Sequence, residues 1–491
     1  MALSAESNPM RWPAGPLEVA LREKTKGFTP EKAEVLGKWL DPAMLGILQG
    51  SPVNCLVVRW AAGLAADNEQ QQALTPLIEK GRETGVGFVG LIEGEANKPA
   101  ALAAARSAGL IAVAMEGEAP ADAGIPVVPR AASAKMGWNA NSPLLNISDG
   151  LWPGIPQDVN QAGGPTNLPW VDSNGAVLRI VRAMASGKGV WIEFEPPQQT
   201  TALTAEAYML AVADPASYGA NWVVSLDDAL RADLSARKQP AMDSWKKVSD
   251  MMTFFKEHNQ NRSYQPMGRL ALVSNFAGDD WDRGEETLNL LPRLREPARV
   301  IARSRAVTAS FAGLQAIYYT DQEPPDAALR AKLLAFARGG GVLFVPSKWP
   351  NPEGPPAAAE AYLLFNLHVL GKGRLAVCKE EAPDPYDLTM DLQNIMSHRN
   401  DPIRLYNASS MNFFYETSAQ GKQGVIHLLN YSRRPASDGP LFYVKEPHRT
   451  ARLVSPELAS TVELQWNPQE AGGSELSLPK ISVYGAVELE S

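Results

Sequence analysis

The sequence predicts an α/β chain of several domains: a (β/α) barrel, then a small α/β layer, then an all-β tail. Three observations carry this. In the first half, short Val-, Ile- and Leu-rich runs alternate with helical stretches, and such runs read as parallel strands buried on both faces. A long helix and a polar linker over 259–266 then precede a second, shorter set of strands and helices. The tail holds short alternating runs between turn residues, the pattern of a sandwich.

Bulk properties narrow the field. A chain of 491 residues is too long for one core at roughly 100–200 residues per domain. Apolar residues make up 45% and charged residues 20%, an ordinary globular balance. Forty-six basic residues against 54 acidic ones give a net charge of −8, which argues against nucleic acid as a partner. Cys55 and Cys378 have no CxxC-type neighbour, so neither a zinc site nor a disulfide framework is expected. No cofactor motif and no metal-ligand spacing is found, and no apolar run is long enough to span a membrane. Met1 to Gly15 lacks the charged start and apolar block of an export signal. Periplasmic, extracellular and cytoplasmic locations all stay open.

The elements follow in order. Thr29-Pro30 places a capping Thr before a Pro at the first helical position, so a helix is expected through Trp39. Seven strand-like runs come next: Asn54–Trp60, Val86–Ile92, Leu110–Met115, Ile125–Pro129, Pro143–Asp149, Gly189–Phe194 and Asn221–Leu226. Helical spacing lies between most of them, over 73–84, 99–108, 171–185 and 204–218. Gly85, Gly109, Gly187 and Gly219 stand behind these helices as C-terminal glycines do. A (β/α)8 barrel needs eight strands. The eighth is expected in the N-terminal segment or is missing, which makes the barrel incomplete. A doubly wound open sheet is the alternative. Asp243–His258 is a long helix. After it, 269–276, 298–303, 313–319 and 342–346 read as strands of the small layer, with a helix over 326–338. The glycines at 339–341 precede a strand and lack a following Lys-Ser/Thr, so they are not a phosphate loop. The Pro- and Ala-rich stretch 351–373 reads as irregular. No G-x-S-x-G elbow occurs, which argues against an esterase.

In a parallel barrel the chemistry sits at the C-terminal strand ends. Those ends carry Arg59 and Trp60; Glu93; Glu116; Asp149, followed by Trp152; Trp191, Glu193 and Glu195; and Asp227 with Asp228. Period two puts Trp191, Glu193 and Glu195 on one strand face, expected to look into the barrel mouth. The structural alternative pairs Glu193 with a neighbouring basic residue such as Arg59. Asp228 is read as a helix cap. The long loop after Asp149 brings Trp152, Trp170, Asp172 and Asn174, with indoles suited to stacking on sugar faces. The structural alternative has the indoles capping the core and Asp172 capping a helix from Val171. Asp384, Asp391 and His398 have no spacing that defines a metal site.

The order of barrel, small α/β layer and all-β tail resembles glycoside hydrolases of the β-galactosidase type. The likeness rests on RLALVSNFAGDDW, GLQAIYY, LLAFARGGGVLFVP, VIHLLNYSRR and LPKISVYGAVELE. It implies a catalytic barrel over 1–262, a flavodoxin-like layer over 263–375, a C-terminal β-domain over 376–491, a carbohydrate substrate and a homo-oligomer. Those enzymes carry an Asn-Glu acid/base at the end of the fourth strand and a nucleophile on a late strand. Here the fourth run ends in Pro129-Arg130, and the one Asn-Glu pair, Asn68-Glu69, lies in a polar segment. Position alone matches the nucleophile to Glu193 or Glu195.

Two functions follow. One is a glycosidase pairing Glu193 with Asp149, with Asp227 or Glu116 as substitutes. In it Arg59, Trp60, Glu93, Glu116, Trp152, Trp170, Asp172, Asn174, Trp191 and Glu195 serve the substrate. The other is a non-catalytic carbohydrate-binding or scaffold protein on a degenerate barrel.

Overall fold

The computed structural model describes residues 3–25, 27–117, 120, 122–156, 171–197, 202–258, 263–357, 362–435, 438–446 and 448–491. The chain divides into two compact units. The first is Met1–Gly154 with Gly187–Asn259; the second is Ile155–Ser186 with Gln260–Ser491.

The first unit is a parallel sheet of eight strands in sequential order. The strands are β1 (Pro9–Arg11), β2 (Cys55–Ala61), β3 (Gly87–Ile92), β4 (Ala112–Met115), β5 (Val127–Ala131), β6 (Leu144–Ile147), β7 (Gly189–Ile192) and β8 (Asn221–Trp222). β1 is the strand the seven runs lacked. It pairs in parallel with β2 from Pro9↔Cys55 to Arg11↔Val57. On its other edge Arg11 N donates to Val224 O at 2.8 Å, and Val224 N donates to Pro9 O at 3.0 Å. Those two bonds bring β1 to the segment that follows β8, so the eight strands form a nearly closed barrel and the open-sheet alternative falls.

The helices are α1 (Pro16–Arg22), α2 (Pro30–Lys38), α3 (Asp67–Thr84), α4 (Lys98–Ala108), α5 (Gly175–Met184), α6 (Ala205–Ser217), α7 (Asp228–Ser235) and α8 (Gln239–Glu257). Thr29 caps α2 as expected, accepting from Lys32 N. Gly85 and Gly109 end α3 and α4 in the left-handed conformation. The spacing predicted a helix from Val171, but α5 begins only at Gly175, with Asn174 before it. α5 is the exception in placement: it belongs to the second unit.

Inside the barrel, Cys55, Val57, Val89, Leu91, Ala112, Ala114, Val128, Leu144, Trp191 and Val223 form one buried apolar cluster. These are alternate residues, as a pleated strand requires for one face.

The second unit holds a six-stranded sheet in the order 298–302, 270–274, 316–319, 342–345, 373–378, 365–370. Its first five strands are parallel and the last is antiparallel. The hairpin over 365–378 corrects the reading of 351–373 as irregular. Pro and Ala dominate only the first part of that stretch, and the edge strand Phe365–Leu370 alternates buried and exposed positions. Two antiparallel sheets follow, of four and six strands. A shared core joins them, with Phe413, Ile426, Leu428 and Val487 from one sheet and Ile403, Phe442 and Leu476 from the other. No helix among the described residues is long and apolar enough to cross a membrane.

Candidate active site

The apolar layer of the barrel ends abruptly. Two residues beyond its last member on each strand, the inward direction recurs and the chemistry changes. Val57 is followed by Arg59, Leu91 by Glu93, Ala114 by Glu116, Val128 by Arg130, Leu144 by Asn146, Trp191 by Glu193 and Val223 by Ser225. β1 contributes Arg11, on the face opposite to Met10 and Trp12. All eight strands thus present one polar residue at their C-terminal ends.

Hydrogen bonds show that these side chains converge. Arg130 grips Glu193 with both sides of its fork. Its Nε lies 3.0 and 3.1 Å from the two carboxylate oxygens, and its Nη2 donates to Oε2 at 2.8 Å. The Nη1 of the same group reaches Glu116 Oε1 at 3.4 Å, and Nη2 lies 3.9 Å from Glu93. Glu93 accepts from Arg59 Nη1 at 2.8 Å, and Arg59 Nε donates to Glu18 at 2.7 Å. Asn146 Nδ2 donates to Glu193 Oε1. The amide is therefore oriented: turned over, it would set its oxygen against a carboxylate. Its Oδ1 then remains buried without a hydrogen bond.

Glu18 anchors the cluster from α1. It is 2% exposed and faces Arg22 at 2.7 Å, Arg59 at 2.7 Å and Arg11 at 3.9 Å. Burial pushes its carboxyl up, but the three guanidinium charges outweigh burial and hold it at about 2. The turn that delivers Glu18 depends on Gly15, at φ 99°, where a Cβ would lie 2.1 Å from Gln70 Oε1. Gln70 is fully buried. It donates to Ala14 O and Arg59 O and accepts from Leu17 N, tying α1 to the end of β2.

Glu193 behaves similarly. Burial raises its carboxyl, but the hydrogen bonds and charge of Arg130, with Arg11 and Asn146, bring the net below the usual range. It is an ionised carboxylate at neutral pH. Glu116 differs in exposure, with 71% of its side chain accessible against 16% for Glu193.

The other expected site residues have partners of their own. Asp149 accepts from Ser133 N and Oγ. Asp227 caps α7 through Leu230 N and accepts from Tyr208 Oη at 2.8 Å. Among the described residues neither shares a partner with Glu193. Asp227, not Asp228, is the cap; Asp228 pairs with Arg22, Lys32 and Arg231. Trp191 does point inward, but it is fully buried in the apolar layer, its indole N–H donating to Ser7 O. Trp60 points the other way, 1% exposed, with its N–H on Ala101 O of α4. Neither ring reaches solvent. Trp152 packs edge-on against Phe194, Tyr208 and Trp222, on the opposite strand face from Glu193. Glu195 is exposed and accepts from Ser225 Oγ at 2.6 Å. Asp172 and Asn174 belong to the second unit, and Trp170 lies outside the described residues.

Sequence reasoning missed Arg11, Glu18, Asn146 and the pairing role of Arg130. One rule would have found two of them, Asn146 and Arg130: step two residues past the last inward apolar position. It needs the strand faces first, and β1 is too short to reveal its face.

No family model matches this chain, and no curated protein matches it in sequence. Its fold is that of solved glycoside hydrolases. It superimposes on α-L-fucosidase isoenzyme 2 from Paenibacillus thiaminolyticus with a TM-score of 0.60 at 9% identity, covering 99% of this chain and 100% of that one. It matches a cold-adapted β-galactosidase from Rahnella sp. R3 with a TM-score of 0.52 at 9% identity, covering 97% and 98%.

Proposed function

We propose that this protein is a glycoside hydrolase in which Glu193 is the nucleophile and Glu116 the acid/base. The observation that carries the reading is the position of the two carboxylates on one guanidinium, at the ends of β4 and β7. With β1 in place the strand count moves by one. The fourth strand is then Ala112–Met115, and the residue after it is Glu116. The resemblance to β-galactosidase-type enzymes asks for an acid/base at that point. Met115 stands where those enzymes carry Asn.

The geometry suits the division of labour. Hydrolysis needs a carboxyl group that can carry a proton to the leaving oxygen and a second that is ionised. Glu193, tied to Arg130 and Asn146, is held as the anion. Glu116, at the exposed rim, can exchange protons with water. Two hydrogen bonds and the width of one guanidinium separate them, no more than roughly 8–9 Å, an upper bound that leaves room for the about 5–5.5 Å a nucleophile and its acid/base require. Arg130 has two effects: it keeps Glu193 charged, and it occupies the oxygens that would attack. A bound sugar has to draw part of the Arg130 fork away before Glu193 can react.

The test is a panel of aryl and alkyl glycosides with the wild type, Glu193→Gln and Glu116→Gln. Glu193→Gln abolishes turnover of every substrate the wild type cleaves. Glu116→Gln lowers it about 10²–10⁴-fold for alkyl leaving groups and far less for acidic phenols, which need no proton. If Asp149→Asn or Asp227→Asn removes activity while Glu116→Gln does not, the assignment is wrong.

A further inference from the structure

Arg11 stands apart from the other cations of the barrel mouth. Its side chain is 10% exposed, and its nearest carboxylate oxygen, on Glu18, is 3.9 Å away. That carboxylate already accepts from Arg22 and Arg59 at 2.7 Å. Among the described residues, the Arg11 guanidinium makes no hydrogen bond. A guanidinium carries five N–H donors in a fixed fork, and those of Arg11 are open to a ligand. Arg11 lies in the same polar layer as Glu193, so this unused donor fork belongs to the site that holds Glu193.

A carboxylate has the planar, two-oxygen shape that a guanidinium fork binds side by side.

We infer that the sugar bound at this site is an acidic one of the uronic acid class, with its carboxylate on Arg11. The inference rests on the glycosidase reading for its chemistry, but binding tests it separately. A purely structural Arg11, acting only through its field on Glu193, would shift the titration of that carboxylate and leave sugar preference untouched.

The experiment is calorimetric titration of the full chain with galacturonate and glucuronate, against galactose, glucose and galactose 6-sulfate. The wild type is expected to bind one of the uronates at least about tenfold more tightly than its neutral counterpart, as a charge-assisted bidentate contact implies. Arg11→Met removes that preference, and Arg11→Lys, which keeps the charge without the fork, retains only part of it. Equal binding of neutral and acidic sugars by the wild type overturns the inference even if the Met variant fails to fold. A preference that survives in a folded Arg11→Met protein also overturns it, as does tighter binding of the sulfate ester than of either uronate. The two readings fail differently. Uronate binding without turnover of any aryl glycoside or uronide sinks the catalytic assignment alone. Turnover of neutral glycosides that Arg11→Met leaves intact sinks this inference alone.

Discussion

Two rings of side chains inside the barrel lie one strand repeat apart. The lower ring is apolar and sealed, from Cys55 and Val57 round to Trp191 and Val223. The upper ring is Arg11, Arg59, Glu93, Glu116, Arg130, Asn146, Glu193 and Ser225; charge-assisted hydrogen bonds join Arg59 to Glu93, and Arg130 and Asn146 to Glu193. Side-chain direction is the same in both. What changes is the distance to solvent: below, a charge would be stranded, while above, it can be paired and partly wetted. The lower ring holds the barrel closed, and the upper ring spends part of that rigidity on aiming groups that are not all satisfied.

Two substitutions on one strand separate these roles most sharply. Trp191 and Glu193 are two residues apart. Glu193→Gln is expected to lower kcat/KM by at least about 10⁴-fold while the protein stays folded, read by steady-state kinetics beside a thermal melt. Trp191→Ala removes a fully buried indole and is expected to cost about 3–5 kcal/mol of unfolding free energy, read by urea denaturation. If Trp191→Ala left stability intact, the lower ring would not be the support described here.

Glu18 tests the link between the rings and α1. Its carboxyl sits at about 2 in the folded chain against an ordinary 4.5. The folded state therefore favours the ionised form, and the gain is fully present above about pH 4.5. It is lost as pH falls toward about 2 and amounts to about 3 kcal/mol. Glu18→Gln should be less stable than the wild type by about that much at pH 7, and the gap should narrow steadily below pH 4.5. A gap that does not change with pH would mean that packing, not the ion cluster, is what the substitution removes.

The lower ring was legible in the sequence because an apolar run of six or seven residues declares itself. Most of the expected strands were found within a few residues of their ends. β1 was not, because three residues, Pro9–Arg11, carry no periodicity, and its pairing is supplied by backbone atoms of β2 and Val224. That one omission displaced the strand count, so Arg130 stood where an acid/base was sought and Glu116 was only a substitute. The aromatic reading failed for a different reason. Which face a Trp at a strand end takes is set by its parity along the strand. Trp60 falls on the helix side with Trp152 and Phe194, while Trp191 falls on the inside but one layer too deep to meet a ligand. Asp149 is drawn off by Ser133 and Asp227 by the cap of α7, which composition cannot distinguish from site roles.

The smallest effect belongs to Arg130, and it tests whether the upper ring is tuned or merely paired. Burial pushes the Glu193 carboxyl up; Arg130 opposes this most strongly, with Arg11 and Asn146 assisting. In Arg130→Met the burial contribution stays and its main opponent goes, so Glu193 takes up its proton at a higher pH. The acid limb of the kcat/KM profile, where the nucleophile must lose its proton, should move upward. Arg130→Lys keeps the charge and loses the fork, so its limb should fall between the two. The same substitution frees both Glu193 oxygens for attack. At pH values well above the limb, the Met variant should therefore lose less activity than the wild-type pairing would suggest, and a profile recorded across the whole range separates the two effects. An acid limb that stays in place in both variants would show that Arg130 positions Glu193 without setting its charge.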